Sequence, residues 1–268
     1  MRILFVGDIV GRPGRDVTRR AVPLLVRRRG IDLVVANVEN AAGGFGITRE
    51  TGDAILAAGV HVMTSGNHIW DKKEALDYVV AEPRLLRPLN YPAVAPGRGT
   101  WTASVGGVGV AVVNAMGRVH MPLVDDPFAA VAAEVERVRT MASVVIVDFH
   151  AEATSEKIAM GWHLDGRATA VVGTHTHVQT ADERVLPGGT AYITDVGMTG
   201  PHDSVIGVEK AAALARFLTG LPSRFETAAG DPRFHAALVE ADNATGRALA
   251  IERLSLAPVD LERIAGEP

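Results

Sequence analysis

Five short apolar runs alternate with helix-like stretches along this chain, and polar residues close or follow each run. They cover residues 3–6, 33–37, 60–64, 144–149 and 169–173. That alternation is the pattern of a layered α/β fold. Residues 16–29 read as a helix, with Leu24, Leu25 and Val26 apolar, the arginines outward and Pro23 in its middle. Asp71, three residues before Glu74, reads as a capping box opening a helix to about residue 79. Pro83, Pro88, Pro92 and Pro96 make 82–99 an extended connection. Gly106-Gly107 marks a hairpin turn between strands 100–105 and 108–113. A second hairpin joins 234–241 to 248–254. Helices are expected at 128–141, 155–163 and 209–218, and one more strand at 191–194. Two βα halves, each followed by a hairpin, predict one domain over residues 1–268 with two sheets packed together.

Composition narrows the chemistry. The chain has no cysteine, which excludes disulfides, thiol catalysis and thiolate metal sites. Any metal must be held by nitrogen and oxygen. Lys+Arg 27 against Asp+Glu 31 leaves a net charge of −4, so no chain-wide basic field invites nucleic acid. No apolar run approaches the ~18 residues that span a bilayer. The opening residues 1–6 are too few for a secretory segment. The expectation is a soluble cytoplasmic protein.

The functional signal is positional. Asp8 follows the first run, Glu39-Asn40 the second, Asn67-His68 the third, His150 the fourth, and His175 and His177 the fifth. In α/β sheets ligands bind outside the carboxyl ends of strands. Singly, each of these has an ordinary alternative: Asp after Gly is a common turn residue, and Asn-His is common in loops. His175-Thr-His177 is stronger, because two imidazoles two apart on an extended segment point the same way. Together they form one nitrogen- and oxygen-rich edge. Such a set suits Mn, Fe, Co or Zn rather than Ca or Mg, and it is too large for one ion but fits two.

Gly7-Asp8, Asn37-Val-Glu-Asn40, Ser65-Gly-Asn-His68, Asp148-Phe-His150 and Gly173-Thr-His-Thr-His177 resemble the calcineurin-like metallophosphoesterases. The finer resemblance is to their YmdB-like branch. It is carried by Gly7-Asp-Ile-Val-Gly-Arg-Pro-Gly-Arg15, Asn40-Ala-Ala-Gly-Gly-Phe-Gly46, Phe149-His-Ala-Glu-Ala-Thr-Ser-Glu-Lys157 and Thr194-Asp-Val-Gly-Met-Thr-Gly-Pro201. Val10 stands where the broad superfamily places a histidine, and Glu39 replaces its bridging aspartate.

The resemblance implies a four-layer α-β-β-α sandwich of two packed mixed sheets. It implies one metal held by Asp8, Glu39, Asn40 and His177, and a second by Glu39, Asn67, His150 and His175, with Glu39 bridging. Fe or Mn is expected, with Zn or Co also fitting. It further implies hydrolysis of phosphoesters, cyclic nucleotide monophosphates of the 2′,3′ or 3′,5′ type among them. In that chemistry a metal-activated hydroxide attacks phosphorus and His68 acts as general acid.

Other residues carry looser expectations. The loop 42–46 either brings amides to a phosphate with Phe45 on a base, or is a plain Gly-rich loop. Asp195 and His202 are candidates to support the ligands from behind or to contact substrate, against a structural turn. Arg12 and Arg15 either meet phosphate or lie on a solvated loop. Glu152 and Glu156 read as capping or surface residues. Hairpin edges at 100–113 or 234–254 suit pairing between subunits, so a homo-oligomer is expected. Two other functions compete. An amidohydrolase barrel would carry its His-x-His after the first strand, unlike 175–177. A regulatory module would bind a nucleotide at the same ligands with little turnover.

Overall fold

The computed structural model describes residues 1–266. Strands β1 (Arg2–Val6) and β2 (Asp8–Ile9) lead into helix α1 (Gly11–Arg29), then β3 (Leu33–Asn37), α2 (Arg49–Ala57), β4 (Val62–Thr64) and α3 (Ala75–Ala81). The hairpin β5 (Thr100–Val105) and β6 (Val108–Met116) precedes α4 (Pro127–Val138), β7 (Val144–His150), α5 (Thr154–His163) and β8 (Ala170–Thr174). Short strands β9 (Arg184–Val185), β10 (Ala191–Ile193) and β11 (Met198–Pro201) lead to α6 (Lys210–Thr219). The second hairpin, β12 (Pro232–Ala241) and β13 (Ala248–Leu256), precedes α7 (Pro258–Gly266).

Two mixed sheets result. One runs β2-β11-β12-β1-β3-β4 with β13 paired to β12, the other β5-β6-β7-β8-β10-β9. Side-chain alternation along the strands sorts the apolar residues into three layers. Ile3, Phe5, Leu33 and Val35 of the first sheet meet Val112, Ile146 and Val172 of the second in the central core. Leu4, Val6, Val34 and Ala36 face the other way, onto Val17, Ala21 and Leu25 of α1. Val113, Val145, Val147 and Val171 pack against Val131 and Val135 of α4 and Met160 of α5. This is the α-β-β-α sandwich.

The same alternation positions the site. Continuing the central-core faces of β3, β4, β7 and β8 by two residues, and that of β7 by two more, puts Asn37, Thr64, Asp148, Thr174 and His150 between the sheets at their carboxyl ends, all buried.

Several boundaries differ from expectation. Helix α1 begins at Gly11 and not at residue 16, because Gly11 takes φ +57° and gives its N–H to the Asn40 carbonyl (2.9 Å). Pro13 then sits in the first turn, where its missing N–H costs nothing. Helix α2 was not legible: its cap is a reciprocal pair between Thr48 and Thr51, with threonine where a capping box usually shows Glu or Gln. Asp71 does not cap a helix. The residue preceding α3 is Glu74, without a side-chain cap bond, and Asp71 is turned to His68. No named element lies in 82–99, as expected, and Gly106 and Gly107 both have positive φ at the hairpin turn. β5 and β13 each pair with a single strand and form sheet edges. No described helix is long and apolar enough to cross a membrane.

Gly173 marks a close approach: a Cβ there would lie 1.8 Å from the Thr194 carbonyl oxygen. Gly173→Ala must push β8 from the chain that follows β10. It is expected to destabilise the protein by about 3 kcal/mol, read from the denaturant midpoint. An unchanged midpoint would mean that the strands part freely.

Candidate metal centre

Glu39 is the pivot of the site. It follows β3 and is buried, as are Asp8, Asn40 and His150. Its Oε1 lies 3.1 Å from His150 Nε2 and 3.4 Å from Asn40 Nδ2, while Oε2 accepts from the His68 backbone N–H (2.9 Å). On one side, His150 Nε2 is 3.0 Å from Asn67 Oδ1 and 3.1 Å from His175 Nδ1. On the other, Asn40 Nδ2 is 3.1 Å from His177 Nε2, which lies 3.9 Å from Asp8 Oδ1. All seven residues expected to hold metal are therefore brought together, in two groups joined through Glu39.

The donor set fits a cation. One imidazole nitrogen, His150 Nε2, faces a carboxylate oxygen, an amide oxygen and a second imidazole nitrogen, more lone pairs than one proton can satisfy. Ligand atoms of Glu39, His150 and His175 all lie within 4.8 Å of one another. Asp8 Oδ1 is buried without a hydrogen-bond partner. Burial alone would raise the Glu39 carboxyl, but His150 beside it holds it down at about 2. Burial works against charge on His150 too, yet Glu39, Asp8 and Asp148 together push it up to about 9. His175 is driven down to about 3 by burial and by the charge on His150, so it offers a free lone pair.

Supporting residues aim these ligands. His150 Nδ1 meets Thr174 Oγ1 (2.9 Å), which donates to Asp148 Oδ1 (2.8 Å). Asp148 also accepts from Thr64 and from Asn37 Nδ2 (3.2 Å), and burial raises its carboxyl to about 7. His177 Nδ1 bonds the Ile206 carbonyl (2.8 Å), leaving Nε2 toward Asn40. Such outer contacts fix ring orientation in metal sites.

His175 and His177 do not sit on an extended segment. β8 ends at Thr174, and both histidines take positive φ, +103° and +65°. Their rings consequently serve the two different groups. Asp195 holds this loop: it accepts from Thr176 N (3.1 Å), Thr176 Oγ1 (2.7 Å) and Lys157 Nζ (2.7 Å). Asp195 is thus a buried brace, not a contact on the cavity. His202 is also elsewhere, with its ring 4.4 Å from that of His235 and lining a neighbouring cavity.

The two groups of candidate ligands open on a cavity of about 310 Å³. His68 and Phe45 line it, ring to ring at 5.0 Å, and Val10 forms part of its wall. His68 Nδ1 is 2.8 Å from Asp71 Oδ2. In the loop 42–46 the amides of Ala42, Gly43 and Gly44 are spent on carbonyls of the loop itself and its approach, so they are not phosphate donors. Arg12 pairs with Asp16 at 3.5 Å and Arg15 donates to the Ala41 carbonyl, both away from the cavity. Two residues were missed. Glu152 lines the cavity and meets His175 Nε2 at 3.1 Å. Asp71 is the partner of His68. Glu152 lies two residues beyond His150 in the quoted motif, the one available hint.

A family model described as YmdB-like protein matches residues 4–254. A 2′,3′-cyclic-nucleotide 2′-phosphodiesterase of Bacillus subtilis (strain 168) is 46% identical over 254 residues, 95% of this chain and 96% of that protein. The crystal structure of a hypothetical protein from Thermus thermophilus superposes with a TM-score of 0.90 at 46% identity, covering 96% of this chain and 99% of that one. That of a novel phosphatase from Mycoplasma pneumoniae gives 0.91 at 33% identity, covering 98% and 96%. With a match over nearly its whole length and relatives this similar, the chain belongs to the YmdB-like protein family.

Proposed function

We propose that this chain is a dinuclear-metal phosphodiesterase that opens nucleoside cyclic phosphates, the 2′,3′ type first among them, as one catalytic unit. The observation that carries the reading is the convergence of Glu39, Asn67 and His175 on one nitrogen of His150, with Asp8, Asn40 and His177 beside it. The phosphodiesterase named among its relatives supports the substrate class. Fe or Mn suits the donors best, and Zn or Co also fits.

Two such ions supply Lewis acidity and a water acidic enough to act as nucleophile near neutral pH. The chain's own residues do the rest. Asp71 holds His68 by Nδ1, which leaves Nε2 to carry a proton to the departing ribose oxygen. Phe45 and Phe225 offer apolar faces to a base.

The test is elemental analysis of purified protein together with hydrolysis of bis-p-nitrophenyl phosphate and 2′,3′-cyclic AMP, with and without chelator. About two transition-metal ions per chain are expected, with hydrolysis that chelator abolishes and Mn or Fe restores. Metal and nucleotide binding without turnover would instead make the chain a regulatory binding module. One ion or none, and no hydrolysis after metal is added back, would remove the dinuclear reading.

A further inference from the structure

We propose that Glu226 sets the charge class of the ligand, favouring monoanionic phosphodiesters and repelling dianionic phosphomonoesters, the reaction's own product included. This rests on the phosphodiesterase reading above. Among the described residues the cavity wall carries Glu39, Glu152 and Glu226 and no lysine or arginine. Several cations of the chain are engaged away from this wall. Arg12 faces Asp16, Arg15 bonds the Ala41 carbonyl, and Lys157 is buried against Asp195. Arg216 lies over the Phe225 ring at 5.1 Å, and neither it nor Arg224 forms part of the wall.

Glu152 is tied to His175, whereas Glu226 stands on the wall between Phe225 and Thr227, which also line it. Its backbone is fixed, since the Glu226 carbonyl accepts from the Glu209 N–H (3.0 Å). The residue is therefore held on the cavity wall by its backbone.

The chemistry gives that charge a purpose. Opening a cyclic phosphodiester breaks one bond between phosphorus and a ribose oxygen and forms one to the oxygen of water. The leaving oxygen takes a proton. The diester carries one negative charge. The monoester product has a second ionisation near pH ~6, so at neutral pH it releases a further proton and approaches two charges. Against the attraction of the two metal ions, a carboxylate on a wall without lysine or arginine disfavours that extra charge. It thereby hastens product release and disfavours phosphomonoesters as substrates. For one extra unit charge across a solvated cavity the discrimination is about 3- to 10-fold.

The test compares Glu226→Gln, Glu226→Lys and Glu226→Asp with the parent enzyme. The readouts are kcat/KM for bis-p-nitrophenyl phosphate and for p-nitrophenyl phosphate, and calorimetric titration of inorganic phosphate into the metal-loaded protein. In Glu226→Gln the diester-to-monoester ratio is expected to fall about 3- to 10-fold and phosphate to bind tighter by a similar factor. The lysine variant should shift both further, and the aspartate variant should restore the parent values. Salt should narrow the parent's ratio, because exposed charges are screened, and leave that of Glu226→Gln nearly flat. Unchanged ratios and unchanged phosphate affinity in the glutamine and lysine variants would overturn the role of Glu226 while leaving the phosphodiesterase reading intact. If the parent hydrolyses neither ester, that reading fails, and the phosphate titrations alone decide on Glu226.

Discussion

Replacing His68 with alanine is expected to leave the bound metal in place and to lower kcat by about 10²–10⁴-fold, the usual worth of a positioned general acid. The geometry separates the two effects. The His68 ring takes no part in the convergence on His150; its Nδ1 faces Asp71 and its edge meets Phe45. What His68 contributes to the metal cradle is its backbone N–H, which donates to Glu39 Oε2 at 2.9 Å, and alanine keeps that bond. The side chain is 30% exposed, so its removal opens no sealed cavity in the core. Elemental analysis and steady-state kinetics on the same preparation read both quantities. The leaving group supplies a second diagnostic. A nitrophenolate departs without help, so bis-p-nitrophenyl phosphate should lose much less than 2′,3′-cyclic AMP, whose ribose oxygen needs a proton. Asp71→Asn should follow the same pattern at about tenfold, since it removes the partner that orients the ring but not the ring. A variant that loses metal along with turnover would make His68 a ligand, and equal losses on both substrates would remove the acid role.

The positions of the candidate ligands are legible because strand geometry does most of the work. Once 33–37, 144–149 and 169–173 are strands, period-two alternation sends Asn37, Asp148 and the residues after them to one edge. The backbone that follows a strand was not legible. His175 and His177 looked parallel on an extended segment, yet positive φ at both sends their rings to opposite groups, and the brace that permits this is Asp195 with Lys157. A buried Lys–Asp pair leaves no periodic trace in sequence, so the sequence leaves Asp195 open between a supporting residue, a substrate contact and a turn. The same holds for Asp71: its spacing to Glu74 matched a helix cap, but the nearer His68 captured its carboxylate. Helix α2 was hidden by a Thr–Thr cap. In each instance a short-range sequence rule lost to a contact that only tertiary structure supplies.

Glu39 carries the largest expected effect. Its carboxylate touches both halves of the site, through Oε1 to His150 (3.1 Å) and to the Asn40 amide (3.4 Å). Glu39→Gln keeps the volume and removes the charge. Changes to outer-shell partners of metal ligands already cost about 10–100-fold in affinity, and loss of a shared ligand must exceed that. Metal content is therefore expected to fall from about two ions per chain to one or fewer, and hydrolysis by roughly 10³-fold or more. Stability provides an independent readout. A cation that binds only the folded chain adds about 2.7 kcal/mol when present at about 100 times its Kd. For a chain of this size that corresponds to a Tm higher by about 5–10 °C. The parent should show that rise on addition of Mn, and Glu39→Gln should show little of it. Its Tm without added metal also separates ligand loss from damage to the core. That Tm should change only modestly, because the residue's partners are polar groups of the site and not the three apolar layers. A variant that keeps two ions and the full thermal shift would show that the two groups hold their metals separately, with no bridge through Glu39.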